Sequence, residues 1–135
     1  MPPFFVFTKF ESVNKVPACE LTKFVSAKVR NDGDKGYLYV VVYDNASSQI
    51  IDVFRSRREV ESGEEVELEL SVKVCAPGTY DLSILVGYLE GENVIVTDGR
   101  RVVLEAYEKF NIYNVVIPLT IIGVASIVLL KELSK

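Results

Sequence analysis

The chain has no histidine and no tryptophan, and it has only two cysteines. Histidine is the commonest general base of enzymes and a common ligand of zinc and copper, so its absence disfavours most hydrolytic and metal-dependent chemistry. No nucleophile in the sequence has a base at a recognisable spacing to activate it. We therefore predict a protein that is not an enzyme, uses no cofactor and takes no small-molecule substrate.

Basic residues are in the minority, with 15 lysines and arginines against 19 aspartates and glutamates and a formal net charge of −4. Proteins that bind nucleic acids generally do so through clustered lysine and arginine residues, which an acidic chain does not provide. We interpret Arg55, Arg57 and Arg58, with Arg100 and Arg101, as solvated loop positions; contact with lipid phosphates or with a neighbouring copy is the alternative. The excess of acidic over basic residues predicts that the chain has no nucleic-acid partner.

The two cysteines, Cys19 and Cys75, lie far apart in the sequence and belong to no CxxC motif. Metal binding and thioredoxin-like redox chemistry therefore have little support. In a two-sheet sandwich the pair could form a disulfide between an early and a late strand, and two buried free thiols are the alternative. The sequence is compatible with both, so it does not decide the redox compartment.

Apolar and polar residues alternate with a period of two along much of the chain, which is typical of half-buried β-strands. The pattern is clearest over residues 65–74, where valine or leucine occupies every second position. Turn clusters rich in glycine, asparagine and aspartate interrupt it. Residues 94–106 indicate either a final hairpin or one bulged strand around Asp98-Gly99. We predict an all-β antiparallel sandwich of about seven or eight strands over residues 18–108.

Residues 112–130 contain no charged side chain. As a helix this segment would rise roughly 28 Å at about 1.5 Å per residue, which is close to the hydrocarbon thickness of a bilayer. We predict one C-terminal transmembrane helix over residues 109–131, followed by a short tail over residues 132–135. Membrane lipid is then a partner of the chain.

Five residues of the predicted anchor are expected to position it in the membrane or pack it against other helices. They are Tyr113, Pro118, Gly123, Leu130 and Lys131. Tyr113 suits the headgroup region, Pro118 can kink a helix, and Gly123 lets another helix approach closely. Basic residues after the segment favour a cytoplasmic tail and an external domain, whereas a start without a signal peptide favours the opposite orientation. The sequence leaves the side of the domain open.

Two sets of aromatic residues are candidates for contact with a partner protein. Residues 1–17 form either an edge strand, where prolines are tolerated, or an apolar arm that docks on another subunit. Tyrosine is enriched in protein interfaces and is also an ordinary strand residue, so a tyrosine-rich strand face is the second candidate. The candidate residues are Phe4, Phe5, Phe7, Tyr37, Tyr39 and Tyr43.

The segment Asn31-Asp32-Gly33-Asp34 places several hard oxygen atoms in one turn, as a calcium site requires. Asp32 and Asp34 are its candidate ligands, but no later bidentate carboxylate completes a calcium loop. We interpret the segment as a solvated turn and predict no metal site.

The glutamates at alternate positions over residues 65–69 indicate either a solvent-facing stripe or a contact with a basic partner.

Three turn segments resemble the CARDB-like group of immunoglobulin-like sandwiches found on prokaryotic, often archaeal, surfaces. They are residues 29–34 (VRNDGD), residues 62–68 (SGEEVEL) and residues 76–82 (APGTYDL). The resemblance covers residues 18–106. It implies an immunoglobulin-like fold used for adhesion, spacing or assembly, with no catalytic residues to transfer.

These features predict a non-enzymatic, single-pass membrane protein whose sandwich is a structural or assembly module. It would act through contacts with other protein subunits or with copies of itself, for example in a virion membrane or a surface layer. The alternative is an accessory or regulatory subunit of a larger membrane enzyme or transport complex.

Overall fold

The computed structural model describes residues 2–108, which form eight β-strands and no helix. The strands are β1 (Phe5–Ser12), β2 (Lys15–Pro17), β3 (Thr22–Asn31), β4 (Tyr39–Asp44), β5 (Gln49–Arg55), β6 (Glu65–Val72), β7 (Gly78–Glu90) and β8 (Asn93–Tyr107). The predicted all-β fold is confirmed. The predicted transmembrane helix and tail lie outside the described residues, and within those residues no helix is long and apolar enough to cross a membrane.

The strands form two sheets that pack face to face. One sheet has the order β1-β3-β6, and the other has the order β2-β8-β7-β4-β5. All neighbours are antiparallel except β2 and β8, which are parallel. Because β1 and β2 are consecutive in the chain but lie in opposite sheets, the N-terminal segment links the two layers.

The core lies between the inner faces of the two sheets. On β6 the alternation places Val66, Leu68 and Leu70 inside with at most 1% of each residue exposed. Ile84 and Leu104, from β7 and β8, are fully buried on the facing sheet. A period of two makes one side of each strand apolar, so two such sheets exclude water by stacking these sides.

The edge strand β1 has N–H groups on the side that faces away from β3, and side chains of β8 accept hydrogen bonds from two of them. The N–H of Phe5 donates to Thr97 Oγ1 (3.1 Å), and the N–H of Phe7 donates to Asp98 Oδ2 (2.9 Å). Burial by itself raises the pKa of Asp98, but hydrogen bonds from the N–H groups of Phe7 and Gly99 and from Arg100 outweigh it and leave the pKa lowered. Since these donors are occupied, β1 offers fewer free N–H groups to another strand.

Residues 94–106 form one bulged strand and not a hairpin, which is one of the two predicted alternatives. β8 runs without interruption through Asp98 and Gly99, and its register against β7 shifts between Val86 and Gly87. A Cβ atom at Gly87 would lie 1.9 Å from the carbonyl oxygen of Ile95, so the bulge brings the two backbones too close for any side chain. A bulge bends the strand and increases its twist.

The last strand, β8, ends at the end of the sandwich where the two cysteines lie. Cys19 and Cys75 form a disulfide with a Cα–Cα distance of 4.0 Å. Beside it, the N–H of Ala18 donates to the carbonyl of Tyr107 (2.7 Å). The β7–β8 hairpin lies at the opposite end, because Gly78 pairs with Ala106 whereas Glu90 pairs with Asn93.

Tyr80 lies near the start of β7 and stabilises the connection between β6 and β7. Its hydroxyl donates a hydrogen bond of 2.6 Å to the carbonyl of Ala76, four residues earlier, and so holds the β6–β7 connection against the start of β7. Burial, and then the charge of Asp44, raises the pKa of Tyr80. We expect Tyr80→Phe to lower the free energy of unfolding by about 1 kcal/mol, because this hydrogen bond is lost.

Denaturant unfolding of the full chain in detergent measures this loss. The matched control is Tyr88→Phe, because Tyr88 is also partly buried against the core and its hydroxyl makes no hydrogen bond within residues 2–108. The control should change stability by less than about 0.5 kcal/mol. Equal losses in the two variants would contradict a specific role for the Tyr80 hydroxyl.

Candidate interaction surface

The outer face of the three-stranded sheet is charged and largely neutralised within the domain. The glutamates over residues 65–69 lie on β6, and β3 presents basic residues beside them: Arg30 is in register with Glu65, and Lys28 with Glu67. Lys23 Nζ lies 3.7 Å from Glu69 Oε1. Cross-strand pairs of opposite charge stabilise a sheet modestly and suit a solvated surface.

Three of the five arginines that the sequence groups together, Arg58, Arg100 and Arg101, have separate acidic partners in the fold. Arg58 makes two hydrogen bonds to Glu64, and these hold the pKa of that carboxyl below its ordinary value. Arg100 bonds to Asp98 and lies 5.2 Å from the centre of the Phe7 ring. Arg58 therefore stabilises a turn and Arg100 stabilises the contact of β8 with β1, so the five arginines do not form one basic patch.

Within residues 2–108, the outer face of the five-stranded sheet carries a large exposed group of apolar side chains. We call it the apolar face. Its members come from β4, β5, β7 and β8 and surround a shallow concavity of about 610 Å³. They are Tyr39, Val41, Tyr43, Ile50, Val53, Leu85, Leu89, Val94 and Val96.

Several members of the apolar face are as exposed as ordinary polar surface residues. The exposed fraction is 59% for Ile50, 44% for Val53, 45% for Leu89 and 46% for Val96. Single exposed apolar residues are common, but a contiguous group of them on one sheet face is typical of an interaction surface. No charged side chain of the described residues lies among them except Glu92 at the margin.

A polar network bounds the apolar face on the side of the disulfide. Asp81 accepts two hydrogen bonds from Arg101 (2.8 and 2.6 Å) and one from the side-chain amide of Asn45 (2.9 Å). The bond from Arg101, followed by that from Asn45, lowers the pKa of Asp81. Ser83 donates to Asn45 Oδ1 (3.0 Å). The apolar face is thus confined to the half of the sheet nearer the β7–β8 hairpin.

Charged residues flank the apolar face on opposite sides. Arg55 ends β5 and lies 4.8 Å from the centre of the Tyr37 ring, and Arg57 follows it. Glu90 and Glu92 lie at the β7–β8 hairpin. None of these four charges has an ion-pair partner within residues 2–108. One margin is therefore basic and the other is acidic.

The structure separates the aromatic residues that the sequence proposes as partner contacts. Phe5 is fully buried and Phe7 is 8% exposed, because both lie on the inner face of β1. In the folded domain these two side chains are core residues, and of the three phenylalanines Phe4 alone is substantially exposed. β1 occupies the edge of its sheet, so residues 5–12 form a strand of this domain.

The tyrosines divide in a similar way. Tyr39 and Tyr43 lie on the apolar face and are partly exposed. Tyr37 precedes β4 and packs under Arg55 at its margin. The tyrosine-rich strand face therefore coincides with part of the apolar face.

Most of the apolar face was not identified from the sequence. A usable signal is that the second half of β7 and the first part of β8 are apolar on both sides, as in Ile84-Leu85-Val86 and Val94-Ile95-Val96. A strand that is apolar on both sides either lies between two layers or exposes an apolar surface. Two sheets can cover only one side of each strand.

The turn that carries Asp32 and Asp34 holds the N-terminal segment. Arg30 makes a bidentate hydrogen bond to Asp32, which lowers the pKa of that carboxyl. Asp32 N–H donates to the carbonyl of Phe4 (2.7 Å), and Asp34 N–H donates to that of Pro2 (3.2 Å). Residues 2–108 contain no group of three or more Cys, Asp or Glu side chains placed to hold a metal ion.

No family model matches the chain, and no curated protein matches it in sequence. A solved structure of similar fold is the CARDB domain of the PF1109 protein from Pyrococcus furiosus, a crystal structure in complex with di-metal ions. The two chains are 16% identical, with 80% of this chain and 96% of that chain covered and a TM-score of 0.59. The similarity shows the fold: the sandwich of this chain is a CARDB-like, immunoglobulin-like β-sandwich.

Proposed function

We propose that this chain is a non-enzymatic, single-pass membrane protein whose sandwich is an assembly module that binds another protein through the apolar face. The observation that carries the proposal is the contrast between the two outer faces. Charges on the three-stranded sheet are largely neutralised inside the domain, whereas the five-stranded sheet leaves a contiguous apolar surface in solvent. Covering such a surface is favourable by about 25 cal/mol for each Å² removed from water.

We further propose that residues 109–131 anchor the chain and that the domain lies on the non-cytoplasmic side. Two observations support this side. Disulfides persist mainly in oxidising compartments, and this domain contains one. Lys131 and Lys135 follow the apolar segment, and basic residues favour the cytoplasmic side.

Extraction of native membranes at alkaline pH tests the anchor. The wild-type chain should stay with the lipid, whereas the double variant Ile121→Lys/Val124→Lys should be released, because each lysine near the centre of a bilayer costs about 2.5–3.5 kcal/mol. Val103→Lys, on the sandwich, is the matched control and should stay with the lipid. Release of the wild-type chain would overturn the anchor.

Protease treatment of intact cells tests the side of the membrane, since an external domain should be cleaved while the cells remain closed.

Native mass spectrometry of the extracted protein then identifies bound chains. A complex that needs the apolar face supports the assembly module. A fixed one-to-one association with larger membrane subunits would make this chain an accessory subunit.

A further inference from the structure

We infer that the protein bound by the apolar face is a second copy of this chain, related to the first by a two-fold axis that runs parallel to the strands. The inference rests on the proposed function, because it takes both copies to be anchored in one membrane. The last strand of each sandwich, β8, ends at the disulfide end, directly before the proposed anchor in the sequence. Two copies inserted in the same direction therefore present their apolar faces at the same height and with their strands parallel.

The strand order makes the apolar face self-complementary under such an axis. Across the face the order is β8-β7-β4-β5, so face-to-face rotation places β5 of one copy opposite β8 of the other. Val41 and Leu85 are in register on the two central strands and lie nearest the axis. Val53 is in register with Val41 on β5, so it faces the β8 side of the other copy.

The charges at the margins match the same arrangement. Arg55 and Arg57 lie at the hairpin end of β5, and Glu90 and Glu92 lie at the hairpin between β7 and β8. Rotation about an axis parallel to the strands brings the basic margin of one copy to the acidic margin of the other, twice in each pair. An arrangement with antiparallel strands would place the two hairpins at opposite ends and leave these charges unmatched.

The size of the face indicates how tightly two copies associate. Four strands about 4.8 Å apart and about six residues long at about 3.4 Å each cover roughly 400 Å². A standard interface buries about 800 Å² on each partner. The contact is therefore weak between free domains, and two-dimensional confinement in a membrane raises the effective concentration enough to populate it.

Energy transfer between full-length chains in phosphatidylcholine vesicles tests the inference. Donor and acceptor dyes are attached to a cysteine added after Lys135, and transfer is measured as lipid dilutes the protein. We expect Val53→Lys to weaken association at least tenfold. Val103→Lys is the matched control, because Val103 is 48% exposed on the same sheet but lies outside the apolar face; it should associate like wild type.

A charge exchange tests the orientation of the pair. Arg55→Glu and Glu92→Arg should each weaken association, and the double variant should restore it. Wild-type transfer in Val53→Lys, or no recovery in the double variant, would overturn the inference. If the chain stays in the vesicles but shows only chance transfer, the second copy is excluded while the membrane anchor stands. If the vesicles do not retain the chain, the proposed function fails with it.

Discussion

Replacing Asn31 by aspartate is expected to lower the free energy of unfolding by about 3–5 kcal/mol, because the variant buries a charge where the wild type donates two hydrogen bonds. Asn31 is fully buried. Its Nδ2 donates to the carbonyls of Asp34 (2.8 Å) and Val60 (3.0 Å). Its Oδ1 accepts from the N–H groups of Phe4 (3.1 Å) and Gly33 (3.0 Å). A carboxylate would repel the two carbonyl oxygens.

The effect of pH distinguishes a buried charge from a general packing defect. Burial raises the pKa of the introduced carboxyl in the folded state, so the folded protein holds its proton more tightly than the unfolded chain does. The stability deficit relative to wild type is therefore smallest below the ordinary aspartate pKa of about 3.9 and grows as the pH rises above it. Chemical unfolding of both proteins at several pH values measures the difference.

Asn14→Asp is the matched control, because Asn14 is an exposed asparagine whose side chain makes no hydrogen bond within residues 2–108. It should change stability by less than about 0.5 kcal/mol at any pH. Asn31→Ala should also be strongly destabilising, but its deficit relative to wild type should not vary with pH. A similar loss in Asn14→Asp and Asn31→Asp would contradict the role of Asn31 in holding the N-terminal segment.

Loss of the disulfide is expected to have the second large effect. Cys19 and Cys75 are separated by 56 residues, and the chain-entropy model gives about 4 kcal/mol for a loop of this length. The bond fixes the β2–β3 connection to the β6–β7 connection, next to the end of β8. We expect the Cys19→Ala/Cys75→Ala variant to unfold at lower temperature and lower denaturant concentration than wild type.

Reducing agent provides the internal control for this prediction. It should lower the stability of wild type to nearly that of the double variant and leave the double variant unchanged. Alkylation of the extracted protein before and after reduction reports whether the thiols were paired in the cell. A wild-type chain that is fully alkylated without reduction would contradict the bond and remove one support for an external domain.

Much of the sandwich could be predicted because strand alternation is a local property. Residues 65–74 carry their burial pattern in the sequence, and β6 keeps it without interruption over residues 65–72. Bulges were harder to place. The register of β3 shifts between Lys23 and Val25, which leaves Leu21 exposed although it continues the apolar alternation in the sequence. A bulge depends on both paired strands, so one strand alone does not reveal it.

The candidate surface depended on information that no single segment contains. The sequence favours an edge strand for Phe5 and Phe7 and leaves a docking arm as the alternative. Pairing of β1 with β3, together with its hydrogen bonds to Thr97 and Asp98, makes both side chains core residues. Val53 and Leu85 lie more than 30 positions apart in the sequence and become neighbours on one face through β4.

The sequence by itself determined the all-β architecture, the positions of the main turns and the apolar segment over residues 112–130, because these follow from periodicity and composition within short windows. Tertiary structure alone decided that Cys19 pairs with Cys75 and that Asn31 anchors the N-terminal segment. It also decided which sheet face stays apolar in solvent. These outcomes depend on which distant strands become neighbours, since two layers can bury only one side of each strand and the other side is left to water or to a partner.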